Sequence, residues 1–389
     1  MGVRLSTAPV DDPDRHLAQV ARPSESIRDP ELLRDRLQAW LETRLDPAAE
    51  PLVEEVHPPT GNGMSSETIL LDASWCTDAQ RSSHPLVVRV APDSAAMPIF
   101  PFYNMRTQFD MMRTVAECTR VPVPEVYWHE PDPAALGGEF FVMRRVDGQI
   151  PPDVMPYNFG SWVTEASDAE RAVLESATVR VLTQLHAAPT SRFGFLGDAT
   201  RTAQEALRDH VAEQRAYYEW TVAASPRSPL IERCFDALAQ ALPADARPCV
   251  VSWGDARIGN VIYREFTPVA VLDWEMAAQA PREMDLGWMI FLHRFFEDIA
   301  AAAGLPGLPG FLRRERVADT YESLTGAAVR DLDWYTMYAA LRHAIVMFRV
   351  QSRAIHFGQA SAPDNPDDMI MHRATLESML AGEYWDGLD

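Results

Sequence analysis

The chain has 389 residues, 47% of them hydrophobic, and a formal net charge of −21. That length and apolar share can fill one large domain or two lobes with a true core, and the acidic balance offers no basic face for broad nucleic-acid binding. No apolar run is long enough for a membrane span, and all 35 basic residues are arginine, which excludes a lysine Schiff base and a Walker A lysine.

The N-terminus lacks the apolar stretch of a secretory signal. Cys76, Cys118, Cys234 and Cys249 are scattered without a C-x-x-C pair. This argues against a disulfide framework or a structural zinc site and fits a reduced, cytoplasmic setting. The charge slightly favours a cationic substrate, although a solvated acidic surface accounts for it more simply.

In chain order, residues 1–28 are polar and read as a loosely held tail. Residues 29–45 carry leucines at helical spacing behind Pro30. The runs 67–75 and 85–92 flank a polar turn and predict a hairpin, and 109–119 predicts a helix stopped by "VPVP". "PEVYWHE" and "GEFFVMRRVDG" predict two more strands. After Gly148 the pattern turns helical, with helices expected near 168–188, 201–222, 229–241 and from about 286 onward. The fold class is therefore α+β: a tail over 1–28, a β-rich N-lobe over 29–148, and a mainly helical C-lobe over 149–389.

The stretch "VVSWGDARIGNVIYREFTPVAVLDWEMAAQAPREMDLGW" (250–288) interrupts the helical half. "NVIY" and "VAVLDW" flank "REFTP" and predict a second hairpin. Asn260 enters its first strand and Asp273 leaves its second, so an amide oxygen and a carboxylate meet at one mouth. Hard oxygens of this kind suit Mg²⁺ when substrate phosphates complete the shell. Asp255 stands five residues before Asn260, in a loop that Gly254 and Gly259 let turn tightly. A carboxylate there can accept a hydroxyl proton and aim the oxygen at phosphorus.

The segment "WGDARIGNVIY…VAVLDWE…DLGW" resembles the catalytic segment of the aminoglycoside phosphotransferase and choline kinase family, which has a bilobal protein-kinase-like fold. The resemblance runs over roughly residues 50–380. It is seen especially with bacterial aminoglycoside phosphotransferase-like proteins and with the kinase domain attached to some acyl-CoA dehydrogenases. It implies a Mg²⁺- and ATP-dependent kinase acting on a small-molecule hydroxyl. Asp255, in the catalytic loop 252–260, would be the base. Asn260 and Asp273, the latter opening the "DWE" segment 273–275, would hold Mg²⁺. Asp285 would steady the catalytic loop.

The same resemblance assigns the N-lobe. "GNGMSSETILL" would cover the phosphates through Gly63, Ser65 and Ser66. Arg89 stands where kinases carry a phosphate-binding lysine. Backbone groups from Met143 and Arg144 to Val146 would meet adenine. Two departures stand out: Gln108 and, two residues on, Asp110 replace the usual helix glutamate, and Trp253 replaces a frequent histidine that braces the loop. His186 and His293 read as packed rather than catalytic.

The acceptor would approach Asp255 from the C-lobe, where 208–220 and 382–389 mix rings with charge. Tyr217, Trp220, Glu383 and Asp386 are the candidates there. An aminoglycoside-like polycation fits the net charge, and a hydroxyacyl-CoA or hydroxy acid fits the arginines. The competing readings are a catalytically weak nucleotide-binding regulator and a metal-dependent hydrolase. No nucleic-acid or membrane partner is expected, and the nucleotide base and the oligomeric state stay open.

Overall fold

The computed structural model describes residues 30–57, 66–78, 80–92 and 97–385. Helix α1 (Pro30–Glu42) leads into a five-stranded antiparallel sheet of β1 (Leu52–His57), β2 (Glu67–Thr77), β3 (Gln80–Val90), β4 (Val126–Glu130) and β5 (Phe140–Arg144). The strand order is β1-β2-β3-β5-β4. Helix α2 (Met105–Cys118) crosses between β3 and β4, its first turn capped by Asn104, which accepts from the Thr107 N–H at 2.9 Å. The expected hairpin of β2 and β3 is present and longer than its apolar cores, whereas β1 had no counterpart in the reading of the sequence.

Side-chain alternation gives the sheet two working faces. Ile69, Leu71, Ala73, Leu86, Val88, Val90, Phe140 and Val142 pack beneath Leu33, Leu37, Trp40 and Leu41 of α1. Val87, Phe141 and Met143 point the other way and join the core that runs into the helical half. Arg89 shares the parity of Val87, so period 2 alone turns it toward the cleft.

The helical half comprises α3 (Trp162–Glu165), α4 (Asp168–His186), α5 (Ala203–Thr221), α6 (Pro229–Gln240), α7 (Glu283–Ala302), α8 (Arg314–Thr325), α9 (Leu332–His356) and α10 (Arg373–Ala381). Reciprocal capping boxes start α4 (Ser167 with Glu170) and α5 (Thr202 with Glu205). Helix α7 is buried over most of its surface and packs along α9. Gly287 permits the close approach: a Cβ there would lie 2.8 Å from the Tyr335 carbonyl. Two small ladders interrupt the helices, β6 (Val250–Ser252) with β9 (Ala278–Ala280), and β7 (Val261–Arg264) with β8 (Thr267–Val271). The β7–β8 turn places Glu265 and Phe266 at φ of 49° and 62°, the left-handed pair a two-residue hairpin needs.

Three histidines, His210, His293 and His372, are sealed in the helical core, and a fourth, His343, is half-buried beside them. Burial lowers the pKa of His293 to about 3 and of His372 to about 4, and takes His210 and His343 well below 6.5. The unfolded chain protonates these rings near pH 6.5, while the folded chain withholds the proton until far lower pH. Their contribution to stability is therefore complete above pH 7 and lost as pH falls through the window from 6.5 to about 4. Each group contributes a slope of up to about 1.4 kcal/mol per pH unit there. Urea midpoints at pH 7.5, 6 and 5 check this; a midpoint that holds steady to pH 5 would show that the rings reach solvent before unfolding.

Candidate active site

The loop 252–260 is fixed from below by Asp285, at the start of α7 and without solvent exposure. Its carboxylate accepts from the Trp253 and Gly254 N–H groups (2.9 and 2.8 Å), from the Ser252 hydroxyl (2.8 Å), and lies 3.0 Å from His186 Nε2. Burial alone would raise its pKa; the hydrogen bonds and charge of its partners outweigh that and hold it below the ordinary carboxylate range. His186 is itself oriented by Tyr321 through its other nitrogen (2.8 Å). Both residues thus act on the loop's geometry. Gly254, at φ 87°, is obligatory: a Cβ would lie 2.0 Å from the Met276 carbonyl oxygen. His293 is packed, its Nδ1 2.6 Å from the Tyr157 hydroxyl.

Asp255 rises from this loop into a set of donors. Trp288 Nε1 donates to Oδ1 and Asn260 Nδ2 to Oδ2, both at 2.6 Å, and Arg257 Nε lies 3.2 Å from each oxygen. Trp288 is braced by the buried Arg342, whose guanidinium sits 4.4 Å from the indole centroid and donates to the Gly254 carbonyl at 3.2 Å. Trp288, Arg342 and Arg257 were not singled out in the sequence. Trp288 and Arg257 do carry a local signal, three residues after Asp285 and two after Asp255.

The β7–β8 hairpin brings the remaining acids to the same mouth. Val261 pairs with Val271, and the Leu272 N–H donates to the Asn260 carbonyl at 2.8 Å. Asp273 follows at φ 58°, an uncommon conformation that turns its side chain back into the cleft. Trp253, in place of the frequent histidine, still braces this turn, donating to the Leu272 and Asp273 carbonyls at 2.9 and 3.1 Å.

From above, Arg89 Nη1 donates to Thr68 Oγ1 at 3.0 Å and its Nη2 lies 3.7 Å from Asp273 Oδ1. Neither candidate for the helix glutamate reaches Arg89. Asp110 is taken by Arg106 and Arg113 on its own helix (2.6 and 2.8 Å), and the Gln108 amide nitrogen is buried without a partner. The cation is instead paired directly with an acid of the hairpin.

The donor set fits a divalent cation. The Asp255 carboxylate fixes the Asn260 amide with its NH₂ toward Asp255, leaving Oδ1 as the free acceptor. Asp273 Oδ1 is buried with no hydrogen bond. Burial raises the Asp273 pKa; Arg89 and Arg257 pull it down, while Asp255 and Asp153 push it further up. A hard cation would relieve this crowding of acids.

For the nucleotide, Ser66 Oγ is buried without a partner beside the sheet, while Gly63 and Ser65 lie outside the described residues, as does the tail 1–28. The expected edge at Met143 to Val146 needs a correction. The Arg144 N–H already donates to the Glu125 carbonyl (2.8 Å) and the Arg145 N–H to the Pro85 carbonyl (2.9 Å), so neither N–H is left to donate to adenine.

A cavity of about 250 Å³ adjoins the loop on the C-lobe side. Phe100, Tyr103, Tyr217 and Met276 line it together with Glu213, Glu275 and Arg342. Tyr217 is thus where the sequence put it, and Trp220 supports it, with ring centroids 6.1 Å apart. Glu383 is a correction. Helix α10 ends at Gly382 in the left-handed conformation, and the chain turns so that Trp385 packs on Arg314 and Tyr384 lies beside Asp298, far along α7 from Trp288. Asp386 lies outside the described residues.

A small antiparallel sheet over a helical lobe, with an Asp, an Asn and an Asp converging in the cleft, defines a kinase-like phosphotransferase. The sequence matches the phosphotransferase enzyme family over residues 66–318, and the chain belongs to that family. A candidate aminoglycoside phosphotransferase of Ralstonia eutropha superposes with a TM-score of 0.61 at 21% identity, covering 90% of this chain and 98% of its own. A thermostable mutant aminoglycoside phosphotransferase solved with AMP-PNP and hygromycin B gives 0.52 at 14%, with the same coverage. The Arabidopsis thaliana protein named probable acyl-CoA dehydrogenase IBR3 is 25% identical over 316 residues, which is 78% of this chain. The chain spans about a third or less of the curated relatives it matches. No helix among the described residues is long and apolar enough to cross a membrane.

Proposed function

We propose that the protein transfers the γ-phosphoryl group of ATP to a hydroxyl of a small molecule. The observation that carries this reading is the meeting of Asp255, Asn260 and Asp273 at one mouth, with Asp273 Oδ1 buried, free of hydrogen bonds and 3.7 Å from Arg89 Nη2. Asp255 accepts the acceptor's hydroxyl proton as its oxygen bonds to phosphorus and the bridging oxygen leaves with ADP. Trp288 and Asn260 hold the carboxylate still for that step. Asn260 and Asp273 would hold Mg²⁺, which neutralises charge on the phosphates. Arg89 grips phosphate from the sheet, and Val146 meets the base. A neighbour solved with AMP-PNP agrees with nucleotide use.

The cavity beside Gly254 is the acceptor site in this reading. Its rings, its two glutamates and Arg342 suit an alcohol that carries both apolar and polar parts. An aminoglycoside is the first acceptor class to test. A hydroxyacyl-CoA or hydroxy acid is the second, favoured by the aromatic walls and by relatives named acyl-CoA dehydrogenases.

Calorimetry with ATP, with and without Mg²⁺, tests the nucleotide assignment: binding should be weak without the ion and much tighter with it. Arg89→Ala should raise KM for ATP by about tenfold or more and leave KM for the acceptor within about twofold. Unaltered ATP kinetics would place the phosphates elsewhere.

A further inference from the structure

Arg257 is not accounted for by the assignments above. It is buried except for about a fifth of its side chain, and it sits between two carboxylates. Its Nε faces both Asp255 oxygens at 3.2 Å, and its Nη1 pairs closely with Asp153 Oδ2. Among the described residues its second terminal nitrogen, Nη2, makes no hydrogen bond. Burial works against its charge, but Asp255 and Asp153 outweigh it and drive its pKa upward.

The surroundings are built around this pair. Asp153 comes from the loop after the sheet and has no other hydrogen bond; its Oδ1 is buried and unpartnered. Gly259 leaves the space both side chains fill: a Cβ there would lie 2.5 Å from Asp153 Oδ1 and 2.6 Å from Arg257 Nη1. An arginine meant only to neutralise Asp255 would turn its fork on that carboxylate and present two terminal nitrogens in parallel. Here Asp153 takes Nη1, and only Nε faces Asp255. The other terminal nitrogen is left over, within the field of Asp273.

We infer that Arg257 is a second phosphate-binding arginine, which takes an oxygen of the nucleotide's terminal phosphoryl group through Nη2, and that Asp153 is the positioning residue that keeps its terminal nitrogens off Asp255. The inference rests on the nucleotide reading above. In a chain without lysine, cations must reach the transferring group from both lobes as arginines: Arg89 from the sheet and Arg257 from the catalytic loop. A fixed guanidinium beside the forming bond stabilises the charge that spreads over the phosphoryl oxygens, at little reorganisation cost.

The test compares Mg²⁺-dependent affinity for AMP-PNP, which has the terminal phosphoryl group, with that for ADP, which lacks it. Arg257→Gln should weaken AMP-PNP by about tenfold and leave ADP within about twofold. Arg257→Lys should recover part of the difference. Asp153→Asn should reproduce the loss with kcat reduced and acceptor KM unchanged. Gly259→Ala, which displaces the pair without altering either charge, should act the same way and serves if Arg257→Gln does not fold. Equal losses for both nucleotides, or an unchanged ratio, would make Arg257 a structural counter-ion and overturn the inference alone. Wild-type protein that binds neither nucleotide would overturn the kinase reading and the inference together.

Discussion

Asp255→Asn should lower turnover by about 10²- to 10⁴-fold while Mg·ATP affinity stays within about twofold. In the proposed reading the carboxylate takes the proton of the reacting hydroxyl and is not itself a ligand of the ion, although it accepts from the Asn260 amide, so its loss falls mainly on kcat. The substitution is also disruptive in a way that is readable from the geometry. Asp255 accepts from Trp288, Asn260 and Arg257, and none of these can accept in return through the group that faces it. An amide NH₂ placed there must oppose at least one donor. The expected signature is a large kcat defect with a modest drop in thermal stability and preserved nucleotide binding. Wild-type turnover in this variant would remove Asp255 from the role of base.

Asp273→Ala should act on the other side of the reaction. On the proposed reading it deletes a ligand of the ion that no substrate oxygen replaces, and it leaves Arg89 without its counter-charge. Affinity for ATP at saturating Mg²⁺ should fall by about a hundredfold or more. Affinity measured without Mg²⁺ should change little, because the remaining contacts come from Arg89 and the strand edge. The variant should also lose its φ-strained aspartate at modest cost to stability, since alanine tolerates the left-handed conformation less well than aspartate does. Nucleotide titrations at fixed Mg²⁺ separate the two effects. Equal affinity in wild type and variant would exclude Asp273 as a ligand of the ion.

What could be read in the sequence was local. The hairpin that carries Asn260 and Asp273 follows from two β-branched runs and a short turn, and its register then decides that the two residues meet. Arg89 faces the cleft because it alternates with Val88 and Val90, which are fully buried under α1. Asp285 braces the loop because it opens a helix whose first turn meets the loop's N–H groups. The contacts missed are those made by distant elements. Nothing near Trp288 says that its indole reaches Asp255, because that depends on how α7 lies across the catalytic loop. Nothing near Arg144 says that its N–H is spent on Glu125 in the neighbouring strand. The end of the chain misled for the same reason. Its rings and acids resemble a binding surface, but the left-handed turn at Gly382 directs them to Arg314 and Asp298, away from the cavity that Tyr217 lines. Arg257 was in plain view between Asp255 and Asn260, yet its partner Asp153 lies 104 residues upstream, and only the fold joins them.

The central claim is tested most directly by incubating the protein with Mg²⁺, ATP carrying ¹⁸O in its γ-phosphoryl group, and a panel of aminoglycosides, hydroxy acids and hydroxyacyl-CoA compounds. Mass spectrometry then follows the label. The account predicts that one class of hydroxyl compound gains a labelled HPO₃ unit, with wild-type protein and Mg²⁺ present and with Asp255→Asn inactive. Label released only as inorganic phosphate would mean a hydrolase, and tight nucleotide binding with no labelled acceptor in any class would mean a nucleotide-binding regulator; either result would contradict the account.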